Sequence, residues 1–321
     1  MSVGSDTGIE LDAAEPKTPA PAGVWHAVVL HWGRVEDTAR CLASLAGVGF
    51  ARVLLVDNGT AAPDLDEIAR RGAGVELLRN AENRGYGAGN NVGLRAACAA
   101  GAEFVAVLNN DVAVEYPAML ADAERTFRAA ASLGALSPPV FVRRGGWAEQ
   151  AVESRFHRVL LARAVADGGG RTPAAPPGAE ATPTFAGSCW MAPVPVISRV
   201  GLLREDLFLY HEELDYGVRL RRAGFSCGRF GRGRGRVLHA GGTAAGMTPR
   251  QAYYCARNLP LLADGFSSPS RRRLLPAAAL AALWLAARCA GVGRVGSAGA
   301  ALRGLADGLR GRRGERSVGG A

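Results

Sequence analysis

Apolar runs that end at polar turns divide the first part of the chain into alternating strands and helices. Residues 24–30 and 51–56 are mostly apolar, which is typical of strands buried inside a parallel sheet. Residues 35–46, between these two runs, place apolar side chains at helical spacing and predict a helix. The same reasoning predicts further strands at residues 75–78 and 104–108.

The order of these elements predicts the fold class. A helix rich in small residues is expected at residues 89–100, and a later helix at residues 212–222. Strands that alternate with helices indicate an α/β fold with a doubly wound, mostly parallel sheet flanked by helices. Ligands of such sheets bind beyond the carboxyl ends of the strands, and two of these ends carry Asp57 and Asp111.

Changes in composition divide the chain into three segments. Residues 1–22 are rich in Ala, Pro and acidic side chains, lack the features of a signal peptide, and predict a disordered tail. Residues 23–265 form the predicted α/β domain, in which the Gly-, Ala- and Pro-rich residues 143–183 are an irregular excursion, partly helical around residues 151–166. Residues 266–321 predict basic, apolar C-terminal helices.

One apolar stretch in the C-terminal segment raises the question of a membrane. Residues 274–287 form a run of fourteen apolar residues with arginines on both sides. The run is shorter than the roughly 20 residues that span a bilayer as a helix. The flanking arginines and Trp284 suit an interfacial helix on an anionic membrane. A helix packed on the main domain explains the same pattern, and the sequence leaves both interpretations open.

The charge distribution narrows the class of partner. The net charge is +9, and ten arginines against two acidic residues lie from Arg271 onward. The body of the chain is therefore close to neutral, which argues against a nucleic-acid partner. Six cysteines lie far apart without a C-x-x-C pair, which indicates reduced thiols in a cytoplasmic protein.

Asp111 ends a predicted strand in the sequence Leu108-Asn109-Asn110-Asp111. A carboxylate at that position can bind a hard cation such as Mg²⁺ or Mn²⁺, which prefer oxygen ligands. The same residues also suit a turn whose side chains cap backbone groups. His239 follows a later predicted strand, and it gains meaning only if the fold brings it beside Asp111.

Three carboxylates lie at the start of the predicted helix 212–222: Glu212, Glu213 and Asp215. Glu212 and Asp215 are three residues apart and share a helix face, whereas Glu213 points elsewhere. One carboxylate can therefore pair structurally while another contacts substrate. The alternative is that they only stabilise the positive end of the helix dipole.

Several short motifs occur in a fixed order between residues 24 and 262. They are His31-Trp32-Gly33, Leu55-Val56-Asp57-Asn58-Gly59-Thr60, the segment 80–91, Leu108-Asn109-Asn110-Asp111, Phe185-Ala186-Gly187-Ser188, Val200-Gly201-Leu202-Leu203, the segment 208–222, and Leu238-His239-Ala240-Gly241-Gly242. This series resembles the family 2 glycosyltransferases with a GT-A fold, particularly the bacterial rhamnosyltransferase-like and galactofuranosyltransferase-like members.

The resemblance implies a site for a nucleotide diphosphate-sugar donor. Its expected binding residues are His31, Asp57, Asn58, Arg84, Gly85, Asn90, Asn110 and Asp111. Asp57 would hydrogen-bond the pyrimidine ring, and Arg84 would lie near the base or the diphosphate. Gly85, Gly87 and Gly89 are expected to let the backbone approach the donor, or to form a flexible loop.

The resemblance also implies a divalent cation, Mg²⁺ or Mn²⁺, held by Asp111, Asn109 and His239. The family's metal motif begins with an aspartate where this chain has Asn109. Glu213 would be the catalytic base, and Glu212 and Asp215 would contact or orient the acceptor.

The expected activity is inverting transfer of a sugar, of the hexosyl type, from a dTDP- or UDP-linked donor to a hydroxyl of a glycan or lipid-linked acceptor. The expected setting is cell-surface polysaccharide or glycoconjugate synthesis in the cytoplasm, with peripheral association at the inner face of the plasma membrane. Two alternatives stay open: a sugar nucleotidyltransferase, and an inactive nucleotide-sugar-binding scaffold.

Overall fold

The computed structural model describes residues 20–143, 147–149, 178–231, 235–240 and 247–317. Most of the predicted tail and of the excursion at residues 143–183 lies outside the described residues, as do Gly241 and Gly242. The described residues form a large mixed sheet with helices on both faces and further helices at the C-terminus. The predicted α/β fold with a doubly wound, mostly parallel sheet and C-terminal helices is confirmed.

The elements are numbered here in chain order. The strands are β1 (Trp25–His31), β2 (Arg52–Asn58), β3 (Val75–Asn80), β4 (Phe104–Asn109), β5 (Val112–Glu115), β6 (Leu133–Ser137), β7 (Val140–Arg143), β8 (Trp147–Glu149), β9 (Ala179–Thr182), β10 (Cys189–Pro193), β11 (Ser226–Phe230) and β12 (Arg236–His239). The helices are α1 (Val35–Leu45), α2 (Asp64–Arg71), α3 (Gly85–Ala99), α4 (Met119–Ala129), α5 (Val194–Val200), α6 (Glu212–Arg222), α7 (Pro249–Leu261), α8 (Ser268–Gly291) and α9 (Val295–Leu309), with a 3₁₀ turn at Leu262–Gly265.

The main sheet has eight strands in the order β3-β2-β1-β4-β10-β6-β11-β9. Strands β3, β2, β1 and β4 are parallel, and β10 runs antiparallel between β4 and β6. Strand β1 is buried on both faces, which explains its continuous apolar run: Val29 belongs to one apolar core layer and Val28 to the other.

A second sheet, which the sequence did not predict, has the order β5-β12-β7-β8. Its strands have only three or four residues each, too short for a clear hydrophobic alternation. Strand β12 pairs with β5 so that His239 lies opposite Val112, the residue after Asp111. This sheet therefore places His239, which is distant in the sequence, next to the end of β4.

Helix α8 is longer than the sequence indicated. It extends over 24 residues because the serine and arginine residues before the apolar stretch continue the helix. By length and composition α8 is long enough to span a bilayer, so the fourteen-residue length of the apolar stretch does not decide the question. One stripe of the helix is nevertheless buried against α7 and α9, with members Ala278, Ala282, Ala286 and Cys289.

Helix α9 packs on α7 through glycine. A methyl group on Gly304 would lie 2.2 Å from the Tyr253 carbonyl oxygen, and one on Gly308 would lie 2.2 Å from the Arg257 carbonyl oxygen. The two helix backbones can approach this closely only because neither glycine has a side chain. The C-terminal segment is therefore joined closely to α7.

We expect Gly304→Ala to destabilise the protein by about 1–3 kcal/mol, because the methyl group forces α9 away from α7. Gly299→Ala in the same helix is the control, since its methyl group would lie 3.6 Å from the flexible Arg303 side chain. That change should be neutral or stabilising by up to about 1 kcal/mol. Chemical denaturation measures both, and equal effects would show that the close approach does not limit stability.

Candidate active site

The carboxyl ends of β1, β2 and β4 form one edge of the main sheet. His31 lies in register with Asp57, and Leu30 lies in register with Asn109. The fold therefore brings together the polar residues that follow these three strands. They line the position where doubly wound sheets bind their ligands.

Asp57 is held firmly at this edge, with 1% of its surface exposed. Its Oδ1 atom accepts hydrogen bonds from the Thr60 amide (2.9 Å) and hydroxyl (2.7 Å), and its Oδ2 atom accepts one from Arg79 (2.6 Å). Arg79 lies opposite Asp57 on β3, and sequence reasoning missed it. The one available signal was a single charged residue at the end of an apolar strand.

Asn58 uses its whole hydrogen-bonding capacity within the protein. Its Nδ2 atom donates to Asn83 Oδ1 and the Gly85 carbonyl, and its Oδ1 atom accepts from Asn80 Nδ2 and the Arg84 amide. An asparagine has two donor hydrogens and two acceptor lone pairs. Asn58 thus shapes the loop before α3, and its predicted contact with the donor stays a prediction.

Gly85, Gly87 and Gly89 lie in helix α3 and not in a flexible loop, and Gly85 and Gly87 approach protein backbone. Their predicted role of letting the backbone approach the donor stays a prediction. A methyl group on Gly85, whose φ is 79°, would lie 2.2 Å from the Phe208 carbonyl oxygen, and one on Gly87 would lie 2.5 Å from the Arg204 carbonyl oxygen. Gly89 packs on Leu30. The helix begins at Gly85, four residues before its predicted start, because these glycines let it pack against the segment before α6.

Other predicted donor residues lie around this edge. His31 Nδ1 is 2.6 Å from Thr38 Oγ1, which also accepts a hydrogen bond from Asn110 (2.9 Å). Burial lowers the pKa of His31, against the opposing charge of Asp57, and this favours the neutral imidazole. Asn90 is buried and donates to the Tyr86 carbonyl oxygen.

Arg84 is the exposed member of the predicted donor set. Its side chain is 42% exposed, and its guanidinium lies 3.7 Å from Glu205. An ion pair this long and this exposed is weak, so the guanidinium can turn toward an incoming anion.

The three predicted metal ligands come together at the end of β4. His239 Nε2 lies 3.3 Å from Asp111 Oδ1 and 3.5 Å from Asn109 Nδ2, and the Ala240 amide donates to the Asp111 carbonyl oxygen. Adjacent ligands of an octahedral ion with bonds of about 2.1 Å are separated by about 3.0 Å. The distance between His239 Nε2 and Asp111 Oδ1 is close to this separation. Rotating the Asn109 side-chain amide would place its oxygen, in place of its nitrogen, near His239 Nε2.

Glu213 lies beside the segment that hydrogen-bonds this cluster. A methyl group on Gly187 would be 3.7 Å from Glu213 Oε2. The carbonyl oxygen of the next residue, Ser188, accepts a hydrogen bond from the Asn109 backbone N–H at 3.0 Å, and the Tyr86 hydroxyl donates to the Gly187 carbonyl oxygen. The start of α6 therefore lies close to the segment that pairs with the end of β4.

The two neighbouring glutamates occupy different environments. Glu212 is 1% exposed; burial raises its pKa well above the ordinary value, and Glu213 raises it further. Burial also raises the pKa of Glu213, although that side chain is only half-buried and backbone hydrogen bonding lowers its pKa. Glu212 thus favours the protonated form, whereas Glu213 is partly exposed to solvent.

Asp215 has arginine partners of its own. Its carboxylate lies 2.8 Å from Arg219 and 3.8 Å from Arg204. These contacts tie the first turn of α6 to the segment before it. The predicted contact of Asp215 with the acceptor stays a prediction.

The segment before α6 has an unusual backbone. Phe208, Tyr210 and His211 have φ values of 62°, 70° and 73°, the left-handed region that side chains with a Cβ atom avoid. Each such residue costs roughly 1–2 kcal/mol. The turn therefore requires support from the surrounding structure.

Two buried residues of α7 give this support. Asn258 Nδ2 donates to the carbonyl oxygens of Leu207 (3.1 Å), Leu209 (2.8 Å) and Tyr210 (2.8 Å), and Arg257 donates to the Leu207 carbonyl. Arg257 and Asn258 are both fully buried, and sequence reasoning missed them. Their signal was an Arg-Asn pair inside an otherwise apolar helix.

Comparison with known sequences relates part of the chain to a protein family. Residues 27–163 match the family described as "Glycosyl transferase family 2". The chain is 26% identical over 209 residues to the low-salt glycan biosynthesis hexosyltransferase Agl10 of Haloferax volcanii, covering 63% of each chain. The chain thus spans less than two thirds of that relative's length.

Solved structures with the same fold include two glycosyltransferases. S. aureus TarS 1-349 in complex with UDP-GlcNAc has a TM-score of 0.50 at 13% identity, covering 90% of this chain and 92% of that chain. GalNAc-T7 with UDP, GalNAc and Mn²⁺ has a TM-score of 0.51 at 14% identity, covering 80% and 54%. The predicted resemblance is confirmed at this level: residues 27–163 match the family 2 glycosyltransferases, and the chain shares the GT-A fold of these solved structures.

We expect Asn258→Asp to lower kcat by about 10–100-fold with little change in donor affinity, because losing the amide donors lets the turn before Glu212 and Glu213 move. Thr248→Ala is the control, since it removes the capping box of the same helix without touching the turn. It should cost about 1 kcal/mol of stability and leave kcat nearly unchanged. Steady-state kinetics distinguish the two, and equal losses of kcat would reduce Asn258 to a stabilising residue.

Proposed function

We propose that this protein transfers a hexose, with inversion, from a UDP- or dTDP-linked donor to a hydroxyl of a glycan or lipid-linked acceptor. The observation that carries the proposal is the position of Glu213 beside the segment bonded to Asn109. In the proposed site, a carboxylate that can accept a proton therefore lies near a group of cation ligands.

The donor class is supported by the structural neighbours. S. aureus TarS 1-349 has been solved with UDP and with UDP-GlcNAc, and GalNAc-T7 with UDP. In this chain the edge formed by β1, β2 and β4 holds Asp57 rigidly, which suits recognition of a base by hydrogen bonding. We assign the nucleotide to this edge, with Arg84 free to meet the diphosphate.

We propose that Mg²⁺ or Mn²⁺ binds to Asp111, His239 and the Asn109 amide oxygen. Among the described residues, no three His, Cys, Asp or Glu side chains form a cluster, so donor phosphates and water would complete the coordination. A bound cation would offset the negative charge of the departing diphosphate. GalNAc-T7, which was solved with Mn²⁺, supports this assignment.

Glu213 fits the role of catalytic base. A sugar or glycan hydroxyl is a weak nucleophile, so its proton must pass to a base as the oxygen attacks the anomeric carbon. In the proposed step the hydroxyl oxygen bonds to that carbon, its proton moves to Glu213, and the bond to the diphosphate breaks. Attack opposite the leaving group inverts the anomeric carbon.

The relative and the cysteines support the proposed setting. The name of the Haloferax volcanii relative describes a hexosyltransferase of glycan biosynthesis, which supports hexose transfer in cell-surface polysaccharide or glycoconjugate synthesis. The six cysteines are free thiols, as expected of a protein in the reducing cytoplasm.

The activity is tested by incubating the full chain with a panel of nucleotide sugars. We expect release of nucleoside diphosphate that requires Mg²⁺ or Mn²⁺, stops on chelation and returns when the cation is restored. Release of pyrophosphate would instead identify a sugar nucleotidyltransferase. Donor binding without turnover for any donor or acceptor would identify an inactive scaffold.

Glu213→Gln should lower kcat by about 10²–10⁴-fold while leaving donor affinity intact, because the amide cannot accept the proton. Glu212→Gln is the matched control: the neutral amide resembles the protonated carboxyl, so most activity should remain. Because the pKa of Glu213 is raised, the wild-type rate should rise with pH through a limb above the usual glutamate range. Loss of activity in Glu212→Gln alone would move the base to Glu212.

A further inference from the structure

One face of α8 has exposed apolar side chains. Leu280, Leu283 and Trp284 are 67%, 45% and 62% exposed, and their spacing places them on one side of the helix. The opposite side holds the buried stripe that includes Ala278 and Ala282 and packs on α7 and α9. Contiguous apolar surface of this kind marks an interaction site.

The charged residues of α8 itself have one sign. The sequence has no acidic residue between Asp264 and Asp307, whereas six arginines lie in that interval. Arg272, Arg273 and Arg288 are exposed and form no ion pair with any described residue, and the Arg288 guanidinium lies 5.3 Å from the centre of the Trp284 ring. The surface complements a negatively charged partner.

We propose that α8 binds the surface of an anionic lipid bilayer, with Leu280, Leu283 and Trp284 inserted among the headgroups and the arginines on lipid phosphates. Tryptophan favours the membrane interface, and arginine can keep its charge at headgroup level while its stem lies along apolar surface. This contact goes beyond the proposed sugar transfer and would hold the active site near lipid-linked acceptors.

Two observations favour this partner over the alternatives. The buried stripe fixes α8 on α7 and α9, so a spanning orientation would expose apolar core that is now covered. A symmetric dimer through this face would set the arginines of one copy near those of the other, with no acidic residue in the interval to balance them. An anionic bilayer satisfies both the apolar side chains and the charges.

Sedimentation of the full chain with vesicles tests the proposal. Binding to phosphatidylglycerol/phosphatidylcholine vesicles should exceed binding to phosphatidylcholine alone and should weaken with added salt. The double variants Leu280→Ser/Leu283→Ser and Arg272→Gln/Arg273→Gln should each lower the partition coefficient by about tenfold or more. Thermal denaturation should show unchanged folding, because the altered side chains are exposed.

The control is Arg70→Gln/Arg71→Gln, which makes the same change in net charge on α2, away from α8. It should bind vesicles like the wild type. Equal binding to neutral and anionic vesicles, or an equal loss in the control, would overturn the proposal. So would a dimer in solution that the Leu280→Ser/Leu283→Ser variant dissociates, because the face would then bind a second copy.

Discussion

The hydrogen bonds from α7 to the turn before α6 are the interaction on which the geometry of the candidate site depends. Three residues in the left-handed region are unfavourable for any side chain with a Cβ atom. Asn258 and Arg257 compensate by donating to the carbonyl groups of residues 207–210 from inside the core. The turn sets where α6 begins. The position of Glu213 therefore depends on Arg257 and Asn258, about 45 residues further along the chain.

The same support extends to the C-terminal helices. Arg257 also donates to the Gly314 carbonyl oxygen, and α9 packs on the backbone of Arg257 through Gly308. Removing the last 50 residues would therefore expose one side of α7 and leave part of the Arg257 guanidinium without its acceptor. The exposed face of α8, with Leu280, Leu283 and Trp284, takes no part in these contacts and can interact with a partner.

Burial affects the pKa values of Glu212 and Glu213 to different degrees. A fully buried carboxyl group is costly to ionise, and a neighbouring negative charge adds to that cost. Glu212 carries both effects, whereas the side chain of Glu213, one residue later, is only partly buried. The surroundings therefore raise the pKa of Glu212 more strongly than that of Glu213, because the helix turns the two adjacent residues toward different environments.

The sequence by itself determined the fold class, the strand ends that carry Asp57 and Asp111, and the start of α6 at Glu212, because local hydrophobic periodicity and turn residues are readable along the chain. Only the tertiary structure decided that His239 lies beside Asp111, that Arg79 binds Asp57, and that the glycines of α3 pack on the backbone near Phe208. These contacts join residues that are 22 to 128 positions apart. No local pattern encodes such pairs, because strand order and helix packing bring them together only when the chain has folded.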